Sequence, residues 1–389
     1  MAANQFNFGL RSYYFGMAML SWFISPWMFM AMSAGVVLVL YRREFHSDVL
    51  ALLNERARCA QHVGEIKAKY GEFGQVYRPE REAQVLRRIQ DLNAGPLPDE
   101  SVTFFFREVM SACLSLENPL GVAFLGPLGT FSESAAVKHF GHAARLLPQQ
   151  SIDDVFREVE ACHADFAVVP IENSTEGAIG RTLDLLMTTP LKVCGEVVVR
   201  IHQHLLSNET SLDKITKVYS HAQSLAQCHE WLNRSLPNAQ RISMGSNAQA
   251  AQFAASEPGA AAIAGEAAAE RYQLPKLATS IEDEPNNTTR WVVLGRQDAS
   301  VSGRDKTSLI MSAHNRTGAL GTLLAPFSEA GVSMTRLESR PARHTLWEYV
   351  FFVDIEGHQS DAPVAKALAE LSQRAAYLKI LGSYPIAVY

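Results

Sequence analysis

Hydrophobic and polar positions divide the chain into four stretches with different periods. Residues 17–40 show none: the run is uncharged, rich in Met, Phe, Trp, Leu and Val, and is followed by Arg42 and Arg43. Over residues 48–70 the apolar positions Leu50, Leu53, Ala57, Ala60, Val63 and Ile66 recur at helical spacing. A second helix is expected after Pro79, which suits a first helical turn, with Glu80-Arg81-Glu82 ahead of Val85, Leu86 and Ile89. A third is expected over about 98–116, with Phe105, Val109, Ala112 and Leu116 as its stripe. Residues 120–298 alternate short apolar runs with helical patterns, as α/β domains do, with strands at 122–125, 166–171, 218–220 and 292–294. Residues 305–389 read as strands at 307–313, 332–339, 346–355 and near Leu378, with helices at 318–330 and 362–375. That βαββαβ order is ferredoxin-like.

Composition sharpens this division. A length of 389 residues suggests two to four domains. Arg11 is the only charged residue before Arg42, so residues 1–41 form an apolar leader on an otherwise ordinary body. By length and hydropathy the leader is a membrane-span candidate, and the paired arginines favour a cytoplasmic position for the body of the chain. The favoured reading is nevertheless an altered or incorrect N-terminus, with membrane anchoring by residues 17–40 the minority one. The net charge of −5 argues against nucleic acid as the main partner, though not against small anionic substrates. Five cysteines with no C-x-x-C pair suggest neither a disulfide framework nor a zinc site, which fits a reducing compartment; no metal or cofactor is implied.

Candidate chemistry begins in the helical stretch. Arg56 and Lys67 lie eleven residues apart on nearly one side of their helix, about 16 Å along its axis. They flank the apolar stripe, where long cationic side chains can also simply snorkel to water. The strings LALLNERARCAQHVGEIK, YRPEREAQVLRRI and FREVMSACLSLE resemble the all-helical class of chorismate mutase domain, fused ahead of a dehydratase, and place that domain at 42–118. The resemblance implies a homodimer of interlocked helices that rearranges chorismate to prephenate without nucleophile or cofactor, by folding the substrate and stabilising developing charge. It implies that Arg56, Lys67 and Arg81 supply cations, that Lys67 also donates to the ether oxygen, and that Glu82 holds the substrate hydroxyl. Glu117 stands where some relatives have Gln, so donating to the ether requires its protonation, which implies better activity at lower pH. Cys113 and Arg78 occupy positions that are often Ser and sometimes Asp. The family's first-helix arginine falls at Val39, so Arg42 or Arg43 replaces it or one carboxylate clamp is missing.

In the α/β stretch each strand exit carries hydroxyl or amide residues, where helix N-termini can hold anions; ordinary capping is the plainer reading of any one junction. Thr130-x-x-Glu133 is a capping box. GPLGTFSE, VVPIENSTEG, YSHAQSLAQC and NNTTRW together strongly resemble prephenate dehydratase, over 120–298. The resemblance implies a two-lobed, periplasmic-binding-protein-like fold with substrate in the cleft and decarboxylation coupled to loss of the ring hydroxyl. Thr289 matches the essential threonine and assists the departing hydroxyl, and Arg290, just ahead of the last strand, orients a carboxylate. Thr130, Ser132, Asn173, Ser174, Ser220, Gln223 and Ser246 are further prephenate contacts. His221 has no carboxylate partner visible in sequence and reads as structural.

In the last stretch, 305–389, Gly318-Ala319-Leu320 and Glu338-Ser339-Arg340-Pro341 resemble the phenylalanine-binding motifs of ACT domains. The resemblance implies phenylalanine as a feedback effector bound across a dimer. The chain as a whole is then expected to be a multidomain cytoplasmic enzyme: all-α mutase, α/β dehydratase, α+β ACT. Alternatives are a dehydratase with an impaired mutase and a non-catalytic amino-acid or carboxylate sensor on the same folds.

Overall fold

A computed structural model of the chain describes residues 30, 34, 47–70, 77–314, 316–341 and 349–388. The expectations for Arg11, for the apolar run 17–40, including the arginine position at Val39, for Arg42 and Arg43 and for the strand start at Leu346 lie outside these residues or nearly so. No helix among the described residues is long and apolar enough to cross a membrane. The chain divides into two units, Met1–Ile66 and Lys67–Tyr389.

Helix α1 (Ser47–Tyr70) has the expected bounds to within a residue. Much of its stripe is uncovered: Leu50 is 60% exposed, and Val63 and Ile66 are also exposed. In the second unit, Pro79 opens α2 (Pro79–Leu92), which α3 (Asp99–Glu117) packs against. The stripe assigned to α3 also faces outward, with Phe105 and Leu116 each 48% exposed. The buried face of α3 carries Thr103 and Ser111 instead. The α2–α3 pair holds the far end of the chain. Arg87 donates to the carbonyls of Ser302, Arg304 and Ile386, and Arg107 donates to that of Val388 at 2.8 Å.

The first α/β lobe is a mixed sheet in the order β2-β1-β3-β11-β5. Its strands are β1 (Gly121–Leu125), β2 (Arg145–Gln149), β3 (Phe166–Asn173), β5 (Lys192–Arg200) and β11 (Thr288–Gly295), with the short β4 (Gly177–Ala178) on β3. Helices α4 (Phe131–Phe140), α5 (Ile152–Glu160) and α6 (Gly180–Thr188) cover it. The second lobe has the order β10-β6-β9-β7-β8, from β6 (His204–Leu206), β7 (Lys217–His221), β8 (Gln240–Met244), β9 (Ala260–Ala264) and β10 (Lys276–Ala278). Helices α7 (Ala222–Gln227), α8 (His229–Ser235), α9 (Asn247–Ala254) and α10 (Glu266–Tyr272) complete it. The chain crosses between lobes twice, after β5 and before β11, which is the two-lobed plan expected.

The last domain runs β12 (Asp305–Ser312), α11 (Ala319–Glu329), β13 (Met334–Pro341), β14 (Tyr349–Glu356), α12 (Ala362–Arg374) and β15 (Tyr377–Pro385). Its sheet order β13-β14-β12-β15 is the ferredoxin-like arrangement. One face of this sheet joins the first lobe in a shared core: Ile310, Phe352, Leu381 and Tyr384 pack with Leu183, Val193 and Val292. Gly382 permits that approach, since a Cβ there would collide with the Val193 carbonyl.

Candidate active sites

Strand β11 starts earlier than its apolar run suggests, because its pairing continues to Thr289↔Asn173 and Arg290↔Glu172 on β3, and to Val199 and Val198 on β5. Thr289 and Arg290 are therefore strand residues, and successive strand side chains point to opposite faces. The expected position of Arg290, just ahead of the last strand, is thereby corrected to one within β11. Its guanidinium meets Asp354 of β14 at 2.6 Å, Glu196 at 3.4 Å and Glu172 at 3.5 Å, on the side packed against the last domain. Burial works against the Arg290 charge, but Asp354, Tyr384 and Glu196 more than offset it and raise its pKa. Lys306 closes the cluster on Glu196 at 2.8 Å, and Ser308 donates to Asp354 at 2.6 Å.

On the other face Asn173 organises the threonine. Its Nδ2 donates to Thr289 Oγ1 and to Asn287 Oδ1, each at 2.8 Å. Its Oδ1 accepts from the Thr175 amide and hydroxyl and from the Glu176 amide. Every polar position of the Asn173 amide is thus committed to protein. Thr289, 8% exposed, accepts from Asn173 and keeps its own O–H to give. Ser174 exchanges bonds with the Thr288 backbone and pins the start of β11. Ser132 accepts from the Trp291 indole at 3.2 Å.

The remaining predicted contacts lie at helix starts. Thr130 caps α4 by accepting from the Glu133 amide, as the capping box predicts, and Ser246 caps α9 through Gln249. Ser220 is fully buried and donates to the Ile263 carbonyl at 2.7 Å, with Asn247 Oδ1 also within reach at 3.0 Å. His221 caps α7 by accepting from the amide of half-buried Gln223, the structural role expected. Gln227 reaches across to Glu176 at 3.2 Å and ties the lobes together.

In the helical domain Lys67 Nζ and Glu117 Oε1 meet at 2.5 Å. Arg56 and Arg81 are exposed, Cys113 is half-buried on α3, and Arg78 pairs with Glu80 at 2.8 Å. Glu82 is not brought to the Lys67–Glu117 pair. It meets Arg107 at 3.4 Å in a cavity also lined by Tyr77, Lys138, His139 and residues 385–388, and neither Lys67 nor Glu117 borders it. Burial raises the Glu82 pKa, with Arg107 opposing. In the last domain Arg340 points at Asp184 of α6, 3.1 Å away, and Glu338 shares that face of β13. Ser339 is exposed on the opposite face, while Gly318 and Leu320 are exposed at the start of α11.

His139 in the same cavity gives a pH-dependent prediction. Burial, helped by Arg107, pushes its pKa down to about 3, and Tyr77 lies at hydrogen-bond distance from Nε2, 3.0 Å. The unfolded imidazole titrates near its ordinary value, about 6.5. Between those values the unfolded chain binds a proton that the folded chain refuses. This contribution is therefore complete above about pH 6.5 and is lost on acidification, at about 1.4 kcal/mol per pH unit. Urea unfolding at pH 7 and pH 5 checks it: His139→Gln, which keeps an acceptor for Tyr77, is expected to flatten the difference.

Three residues escaped the sequence reading: Asn287, Asn247 and Arg107. Asn287 lies two positions before Thr289 in a motif already singled out, but its partner Asn173 is 114 residues away. Arg107 sits beside Glu82 only because α2 and α3 pack together.

Comparisons with known proteins bear on the domains rather than on the contacts within them. Family models match for chorismate mutase type II over residues 44–118, prephenate dehydratase over 122–299 and the ACT domain over 307–373. Residues 1–49 match a family described as a protein of unknown function, DUF599. The bifunctional chorismate mutase/prephenate dehydratase of Neisseria gonorrhoeae is 58% identical over 345 residues, covering 88% of this chain and 94% of the relative. That of Pseudomonas aeruginosa is 52% identical over 344 residues, covering 87% and 94%. The crystal structure of prephenate dehydratase from Arthrobacter aurescens in complex with L-Phe superposes with a TM-score of 0.63 at 35% identity, covering 69% of this chain and 92% of that one. Three matched domains in the same order, together with relatives matched over nearly their whole length, show that the chain belongs to the family of bifunctional chorismate mutase/prephenate dehydratases.

Proposed function

We propose that the chain converts chorismate to prephenate and prephenate to phenylpyruvate, under feedback inhibition by phenylalanine. The observation that carries the second reaction is the Asn173–Thr289 junction. In that reaction the C–C bond to the ring carboxylate breaks and carbon dioxide leaves. The released electron pair aromatises the ring and expels the ring hydroxyl, which becomes water on gaining a proton. Hydroxide is a poor leaving group, so a donor held at its oxygen lowers the barrier. Thr289 is such a donor: its Oγ1 accepts from Asn173 Nδ2, which leaves its own O–H to give. Ser132, Ser220, Gln223, Ser246, Thr130 and Ser174 shape the cleft around it, mainly by fixing its backbone.

For the first reaction, Lys67 and Glu117 are assigned to the ether, Arg56 and Arg81 to further charge, Glu82 to the substrate hydroxyl, and Arg78 and Cys113 to further substrate contacts. The uncovered apolar stripes of α1 and α3 support a homodimer whose interlocked helices complete this site. Because Arg107 engages Glu82 within one chain, an impaired mutase remains the second reading. Glu117→Gln keeps an acceptor for Lys67 and adds a donor that needs no protonation. Mutase kcat/KM at pH 7.5 is expected to rise by roughly tenfold and its pH profile to flatten; an unchanged rate and pH profile would remove Glu117 from the site.

Phenylalanine binding is assigned to Gly318, Ala319, Leu320, Glu338, Ser339 and Arg340, the last also paired with Asp184 of the dehydratase lobe. The exposed positions on edge strand β13 and at the start of α11 leave room for a second copy to close over the effector. A cytoplasmic location suits this reading and the cysteine usage. The deciding experiment follows chorismate, prephenate and phenylpyruvate separately with purified full chain, with and without phenylalanine. A carboxylate sensor would bind without turnover.

A further inference from the structure

Asn287 is 1% exposed, and its side-chain Nδ2 is buried with no hydrogen-bond partner among the described residues. Its other polar groups are all engaged: the backbone N–H donates to the Glu284 carbonyl, the carbonyl accepts from the Ile201 amide, and Oδ1 accepts from Asn173. An orphaned buried amide donor destabilises a fold unless a ligand or water takes it up. Its position relative to the threonine gives it a use. Asn287 Oδ1 and Thr289 Oγ1 lie 2.8 Å from the same Asn173 nitrogen, so they are at most twice that distance apart. The Asn173 carbonyl accepts from Thr175 and Glu176, which fixes the amide plane and hence both neighbours. Two uncommitted donors, the Thr289 O–H and the Asn287 Nδ2–H, are thereby held on one rigid amide.

We propose that Asn287 is a second donor to the departing ring hydroxyl of prephenate, acting beside Thr289. The chemistry asks for it: a threonine hydroxyl is a weak acid, and an oxygen leaving as hydroxide develops negative charge that two fixed donors stabilise better than one. The C–O bond breaks heterolytically, the oxygen takes the electron pair, and solvent supplies the proton that completes water, so both donors emerge unchanged. The inference rests on the assignment of Thr289 to that oxygen.

The test uses Asn287→Asp and Asn287→Ala in the full chain, with mutase turnover and circular dichroism as controls for folding. Aspartate keeps the acceptor for Asn173 and loses the donor when ionised, but regains a donor when protonated. Dehydratase kcat in Asn287→Asp is expected to fall about 10²-fold at pH 8, with KM for prephenate changed less than threefold, and to recover as pH is lowered. Wild type and Asn287→Ala are expected to show no such recovery, and Asn287→Ala to lose kcat at every pH. A kcat within threefold of wild type in both variants, or a loss confined to KM, overturns the proposal. If Asn287→Asp does not fold, the kcat and KM of Asn287→Ala decide by the same limits. Thr289→Val is measured alongside: its retention of activity would overturn the threonine assignment, whereas its loss with an unaffected Asn287 overturns only the second donor.

Discussion

Thr289→Val is expected to lower dehydratase kcat by about 10²–10³-fold, the usual cost of removing one donor aimed at developing charge. Valine keeps the β-branched shape that suits strand β11 and removes only the hydroxyl. The Asn173 Nδ2 then loses one of its two acceptors, so a stability loss of about 1–3 kcal/mol is expected as well. Thr289→Ser, which restores an O–H in a freer rotamer, is expected to recover part of the rate. Mutase turnover by the same protein is expected to stay unchanged, because the Lys67–Glu117 pair sits on other elements. The two activities of each variant, measured on one preparation, separate loss of chemistry from loss of fold. Dehydration within tenfold of wild type in Thr289→Val would remove the threonine from the mechanism.

Arg290→Met is expected to act on stability rather than on substrate affinity. Methionine fills much of the volume but leaves Asp354 with Ser308 and leaves Glu196 with Lys306, so two carboxylates 3% and 2% exposed lose part of their compensation. Removing one partner from a buried ion pair typically costs about 3–5 kcal/mol. Denaturant unfolding is expected to show that loss, while KM for prephenate in the remaining folded protein moves little. The opposite result, a large rise in KM with unchanged stability, would restore Arg290 as a carboxylate-orienting residue. The same cluster joins the ACT sheet to the site. Arg290 and Glu172 adjoin Thr289 and Asn173 in sequence, and they meet Asp354 and, through Arg336 at 3.0 Å, strand β13. A weakened response to phenylalanine in Arg290→Met is therefore expected alongside the stability loss.

Local signals explain why so much of the architecture was legible. Helical periodicity and Pro79 marked α1 and α2, the capping box marked α4, and the βαββαβ order marked the last domain, because each depends on residues a few positions apart. The outward stripes of α1 and α3 show where that logic stops. Period reveals that a face is apolar, while its covering belongs to the tertiary or quaternary level. The same limit applies to β11. Its apolar run begins near Val292, yet pairing with β3 and β5 extends it to Thr288, and the resulting alternation of faces separates two adjacent motif residues.

The sequence by itself determined where most helices and strands lie and, through motifs that resemble known families, which three domains follow one another in the chain. Only the tertiary structure decided how those residues are used. It paired Arg290 with Asp354 of the last domain, set Asn173 between Thr289 and Asn287, left the Asn287 amide nitrogen without a partner among the described residues, and set Glu82 against Arg107. Each of these depends on contacts between residues distant in the chain. Strand register and helix packing create such contacts, and no local pattern of side chains encodes them.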